Sequence, residues 1–150
     1  MAFNMEGEIE LPASREVVWG MLNDPSVLKG CIPGCEELSE TEGGFQAKVK
    51  LKIGPVSARF AGHVVLSDLD APNAYRISGE GEGGIAGFAK GGATVRLEDC
   101  DVGTLLIYQV DAQIGGKLAQ LGQRLIAGTA KKLADQFFQT FRDQLQTAPA

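Results

Sequence analysis

The stretch Gly103-Thr-Leu-Leu-Ile-Tyr-Gln-Val-Asp-Ala-Gln-Ile114, followed through Gly115-Gly116 by a segment reaching about Gln146, decides the fold. The first part reads as a long strand. The second reads as one helix, because Leu118, Leu121, Leu125, Thr129, Leu133 and Phe137 recur at steps of three and four and share a face. Arg124, Lys131, Asp135, Gln139 and Arg142 fall on the other side. At 1.5 Å per residue such a helix is roughly 45 Å long, so it needs a broad partner. The strand-rich sequence before it offers one. A long helix laid across a curved antiparallel sheet leaves a space between the two. Unless side chains fill that space, it is a ligand cavity.

Working outward, Phe3, Met5, Gly7, Ile9 and Leu11 alternate with Asn4, Glu6, Glu8 and Glu10, which predicts a strand. Pro12-Ala-Ser14 opens a helix with Ser14 as N-cap and Glu16 in its first turn. Val17, Val18, Met21 and Leu22 mark its buried side, and Asp24-Pro25 ends it. A second short helix runs from Pro25 to Lys29 and stops at Gly30. Then the pattern is all strand. Phe45, Ala47, Val49, Leu51 and Ile53 form one inner row; Ala58, Phe60, Gly62, Val64 and Leu66 form the next. Tyr75, Ile77, Gly79 and Gly81 continue the inner face, and 89–98 and 104–114 complete the sheet. No linker, repeat or low-complexity stretch interrupts the order, so the expectation is one α+β domain over residues 1–146 with a short tail at 147–150.

The 150 residues suffice for one domain with a real core. A formal net charge of −5 argues against a nucleic-acid binder, which carries a basic face. Three cysteines, an odd count, with no signal-peptide pattern at the start, read as reduced thiols in a cytoplasmic protein. No apolar run approaches the about 20 residues of a spanning helix, which leaves peripheral membrane contact open.

Catalytic constellations are absent from the pattern. The one histidine, His63, falls on the solvent row of its strand, and no Gly-x-Ser-x-Gly elbow occurs. Cys31 and Cys35 flank Ile32-Pro33-Gly34 without a second pair or a nearby histidine, so no zinc site is expected. The run from Gly79 to Gly92 lacks the Gly-Lys-Ser/Thr ending of a phosphate loop and carries two glutamates that repel phosphate. It reads as a bulged hairpin that also strips bulk from the inner face. Gly122, Thr129, Ala130 and Ala134 do the same along the helix stripe. Such gaps allow either close helix–sheet packing or room for an apolar ligand, and the residues alone leave both open.

Several motifs together carry a resemblance. Val17-Val-Trp19 with Asp24-Pro25 resembles the first helix of START-like (SRPBCC) helix-grip proteins. Cys31-Ile-Pro-Gly-Cys35, Gly54-Pro-Val56, Ala86-Gly-Phe-Ala-Lys-Gly91, Ala112-Gln-Ile-Gly-Gly-Lys-Leu-Ala-Gln-Leu-Gly122 and Lys132-Leu-Ala-Asp-Gln-Phe-Phe138 are similar to the CoxG family, named for a subunit of carbon monoxide dehydrogenase, over nearly the whole chain. The resemblance implies a seven-stranded antiparallel sheet wrapped around a long C-terminal helix. It also implies a non-catalytic accessory role beside molybdenum hydroxylases of the carbon monoxide dehydrogenase type. That role comprises membrane recruitment of the enzyme and binding of a lipoquinone, the electron acceptor. Some members carry a C-terminal membrane anchor. This sequence stops at Pro149-Ala150, so transient contact at the inner face of the cytoplasmic membrane is the expectation.

Three functions follow from these readings. The first is a carrier holding a quinone-like or other isoprenoid lipid, without metal or covalent cofactor. Its expected wall is Phe60, Val64, Tyr75, Ile77, Tyr108, Leu121, Leu125 and Leu133, with Phe88 at the cavity mouth or against the membrane. The second is a cyclase-like enzyme using Tyr108, Asp111 and Arg59. The third is a pure protein-docking subunit that works through the outside of the sheet at Lys48, Lys50 and Lys52.

Overall fold

Strict alternation in the first residues makes a strand, β1 (Ala2–Leu11), whose inner side chains begin and end buried at Phe3 and Leu11. The computed structural model describes residues 1–147; the remainder of the expected tail lies outside the described residues. Two short helices follow. In α1 (Arg15–Leu22) the Ser14 hydroxyl accepts from the Val17 N–H at 3.3 Å. In α2 (Pro25–Cys31) the Asp24 carboxylate accepts from the Ser26 N–H at 2.9 Å, and Pro25 occupies the first helical position, where no N–H is needed. Val17, expected on the buried side of α1, is exposed; Val18 and Leu22 carry that helix into the core.

Six strands complete the sheet: β2 (Cys35–Thr41), β3 (Gly44–Ile53), β4 (Val56–Asp70), β5 (Ala74–Glu82), β6 (Phe88–Cys100) and β7 (Gly103–Gly115). All neighbours are antiparallel, in the order β1-β7-β6-β5-β4-β3-β2, so β1 and β2 are the edges. A single 3-10 turn at Gly84–Ala86 joins β5 to β6. The strand β2 has no counterpart in the alternation read from sequence, since Leu38 is its one inward aliphatic side chain.

The long helix is not continuous. A single turn, α3 (Lys117–Gln120), is followed by Leu121 and by Gly122 at φ +88°, a left-handed conformation that ends a helix. The main helix, α4 (Gln123–Thr147), then runs 25 residues, about 38 Å. It lies along β1 in the same direction. Near its start the Gln123 amide donates to the Ala2 carbonyl at 3.0 Å; near its end the Arg142 guanidinium donates to the Glu10 carbonyl, also at 3.0 Å.

The core is split into two clusters. One gathers Leu11, Val18, Leu22, Tyr75, Val95, Leu97 and Leu106 beneath Phe141 and Leu145 of α4. Here Trp19 meets Tyr75 edge-on, with ring centroids 5.1 Å apart. The other gathers Phe3, Ile53, Ile114 and Leu118 beneath Ile126. No helix among the described residues is long and apolar enough to cross a membrane.

Candidate functional site

Between the two clusters lies a stretch where the sheet and α4 do not close on each other. Each inward row shows it. Along β3, Phe45 and Ile53 at the ends are buried, while Ala47, Val49 and Leu51 between them are half-buried. Along β7, Leu106 and Ile114 are buried and Tyr108, Val110 and Ala112 are not. Along β1 the same holds for Met5, Gly7 and Ile9 between Phe3 and Leu11. On α4, Ile126 and Phe141 are buried, with Ala130, Leu133 and Phe137 half-buried between them. In a filled core the middle of a row is its driest part. Four elements showing the reverse mark a more loosely packed space under the centre of the helix. Val49, Val64, Val110 and Leu133 belong to neither packed cluster among the described residues, and they border this space.

Glycine and alanine supply the missing bulk. Pairing aligns Gly62 with Gly81, Val64 with Gly79, Gly79 with Gly91 and Gly91 with Ala112 across the sheet's inner face. These glycines are not equivalent. A Cβ at Gly79 would come within 2.3 Å of the His63 carbonyl oxygen and 2.7 Å of Val64 Cγ1, so there glycine permits close strand approach. A Cβ at Gly81 would meet nothing nearer than the Ala61 carbonyl oxygen at 3.9 Å. Gly81 therefore opens onto free space.

The expected wall residues are brought only partly together. Phe60, Val64 and Ile77 are half-buried on the sheet's inner face, and Leu133 is half-buried on α4. Phe60 lies against Gly83 and packs on the second cluster. Tyr75 is 4% exposed and sits in the first cluster against Trp19, a packed end rather than the middle. Leu121 packs on the second cluster. Leu125, 38% exposed, reaches over the β3–β4 turn at Gly54 and lies at the rim. Phe88, 45% exposed, lays its ring across Gly115 on the outer register of β6. The expected wall does not include Val49, Leu51, Val110 and Phe138; for the first three, alternation in the same inner rows is the signal that identifies them.

Tyr108 is the polar element of this region. Its ring crosses over Gly7 and stacks on Phe138, with centroids 5.5 Å apart. Burial first, and then the nearby Asp135 carboxylate, push its phenol above the usual tyrosine range, while Lys131 pulls the other way. Lys131 and Asp135 are themselves joined at 2.8 Å, a bond that raises the lysine. Burial also raises the Tyr75 phenol, and it pushes the Cys31 thiol up to about 11.

The residues considered for catalysis do not converge. Arg59 pairs with Glu36 at 2.9 Å and Asp111 with Arg76 at 3.2 Å, both on the outer register of the sheet, away from Tyr108. His63 is likewise outward, 4.0 Å from Glu80. Lys48, Lys50 and Lys52 form an exposed outer row, with Lys48 3.5 Å from Glu37. Among the described residues no group of three or more histidines, cysteines or carboxylates is placed to hold a metal ion.

Comparison with known proteins bears on the family and the fold. Residues 7–146 match the model of the CoxG family, described as a subunit of carbon monoxide dehydrogenase. A crystal structure of a conserved protein from Geobacillus kaustophilus is similar at 34% identity, with a TM-score of 0.91 over 97% of this chain and 96% of that one. A protein from Rhizobium leguminosarum has a TM-score of 0.75 at 14% identity, covering 99% of this chain and 97% of that one. The Zhui aromatase/cyclase from Streptomyces sp. R1128 has a TM-score of 0.70 at 11% identity, covering 97% of this chain and 94% of that one. The last two share the fold. No curated protein matches the chain.

Proposed function

Because the chain belongs to the CoxG family of carbon monoxide dehydrogenase, we propose that it is an accessory protein that carries a hydrophobic, lipoquinone-like ligand between the sheet and α4. It serves a molybdenum hydroxylase of the carbon monoxide dehydrogenase type, by bringing the enzyme to the membrane or by supplying its electron acceptor. The observation that supports this reading is the break in the core: buried ends and half-buried middles on four facing elements, with Gly81 open to the space. The bordering side chains Val49, Val64, Val110 and Leu133 are aliphatic. An isoprenoid tail fits such walls, since each methylene removed from water is worth about 0.8 kcal/mol and no dense polar recognition is needed. In this reading a bound quinone would supply two-electron acceptor chemistry to the partner. Contact with the membrane is transient in this reading.

The test is organic extraction and mass spectrometry of protein purified without detergent. A stoichiometric isoprenoid quinone or lipid is the expected result. A clean protein that also refuses added quinone would overturn the carrier reading. A cyclase-like activity has the fold shared with the aromatase/cyclase in its favour, and fold alone does not carry function.

A further inference from the structure

The two ends of this acidic chain differ in charge balance. At one end lie the turns 42–43, 71–73 and 101–102; on them and on the strand ends beside them are Glu40, Glu42, Asp68, Asp70, Asp99 and Asp101, with Arg15 paired to Asp99 at 2.9 Å. At the other lie the chain start, the Gly54-Pro55 turn, the 3-10 turn and the α3–α4 junction. On and beside its turns this second end carries Glu80, Glu82, Lys90 and the Met1 amine, together with the side chains of Lys52, Lys117 and Arg124. The three side chains are exposed, and none has a carboxylate within ion-pair distance among the described residues.

The same end exposes apolar side chains. Ile85 projects from the 3-10 turn at 84% exposure, beside Phe88 at 45%, with Leu125 at 38% on the rim above Gly54. The turn is held from below: Ala86 is buried, the Gly83 N–H donates to the Gly87 carbonyl at 2.9 Å, and Gly87 rests against the Gly115–Gly116 backbone. Ile85 is thus an apolar tip on a braced support. Cations around a protruding apolar tip complement an anionic bilayer, whose headgroups attract them while the interface takes the side chain.

We infer that this end is a membrane-docking face, with Ile85 and Phe88 entering the interface of an anionic bilayer and Lys52, Lys117 and Arg124 meeting its headgroups. The inference rests on the carrier reading in one respect. Gly81, where a Cβ would meet nothing nearer than 3.9 Å on the inner face, lies three residues before this turn, so docking sets this end of the inner face against the lipid that would supply its cargo.

Vesicle flotation of cargo-free protein tests the face. Binding is expected to vesicles of phosphatidylglycerol mixed with phosphatidylcholine, to fall as salt is raised, and to be weak on phosphatidylcholine alone. Ile85→Asp is expected to lower binding by about tenfold or more, since it removes the apolar tip and adds a like charge. Lys117→Glu with Arg124→Glu is expected to remove the preference for anionic lipid. Val102→Asp, at the acidic end, is expected to change nothing. Equal binding by Ile85→Asp and the unaltered protein, or no binding at all, overturns the inference in favour of a protein partner at this end. Quinone uptake measured without vesicles keeps the two readings apart: docking without uptake sinks the carrier, and uptake without docking sinks this face.

Discussion

Gly81→Leu is the sharpest probe of the central space, because it separates an empty volume from a packed one. Its backbone is ordinary strand, and a Cβ there meets only the Ala61 carbonyl oxygen at 3.9 Å. Replacing a strand glycine recovers about 0.5–1 kcal/mol of backbone entropy. Half-burying a leucine side chain adds about 1 kcal/mol, against about 0.5–1 kcal/mol of lost rotamer freedom. The variant should therefore be more stable by about 1 kcal/mol, with Tm higher by about 2–4 °C for a chain of this size. The same leucine displaces about four carbons of any ligand in the space, about 3 kcal/mol at 0.8 kcal/mol each, so affinity for a short-chain quinone should fall about a hundredfold. Urea denaturation and titration calorimetry read the two effects separately. Gly79→Ala is the internal control. Its Cβ would lie 2.3 Å from the His63 carbonyl oxygen, so it should lose about 1–3 kcal/mol. If Gly81→Leu were as damaging as Gly79→Ala and still bound quinone normally, the space would not be where these distances put it.

Phe141 is fully buried in the cluster under the end of α4, and Phe141→Ala should cost about 3–5 kcal/mol in urea denaturation. The Thr104 hydroxyl, also fully buried, donates to the Ala13 carbonyl at 2.7 Å; Thr104→Val should cost about 1–3 kcal/mol by orphaning that oxygen. Burial lifts the Cys31 thiol from 9.0 to about 11, so the unfolded chain releases its proton first. The stability this provides is complete below pH 9 and is lost as pH climbs to 11, so Cys31→Ala should show a shallower decline than the unaltered protein in a pH series of denaturation midpoints.

Which face of each strand turns inward is legible from alternation, and the rows through Phe45, Phe60 and Tyr75 stand where alternation puts them. How deep along the strand a residue lies is not. Period-two patterning assigns Tyr75 and Val64 to the same face, yet Tyr75 is sealed under α1 while Val64 borders the space, because α1 covers only one end of the sheet. The strand β2 escapes such a reading because an edge strand with one inward leucine is held by pairing to β3 rather than by burial. The interruption at Gly122 is hidden because Leu118, Leu121 and Leu125 keep helical spacing across it; spacing makes the glycine a small cost inside a helix, whereas its left-handed φ makes it a stop. Gly122→Trp, which suggests itself for a continuous helix, would consequently strain the junction rather than fill the space. The difference between Gly79 and Gly81 depends on backbone distances that no spacing encodes.

The placement of α4 along β1 also bears on how copies of the chain meet. Gln123 and Arg142 occupy two carbonyls of that edge, and the helix body stands beside it, so a strand arriving from another molecule finds acceptors already taken and its approach obstructed. The remaining edge, β2, is guarded differently. Glu36 and Glu37 are paired with Arg59 and Lys48, while Glu40 has no ion pair among the described residues, so two such edges brought together would set carboxylate against carboxylate there. One border of the sheet is thus closed by occupancy and the other by repulsion, and polymerisation through strand pairing is resisted at both.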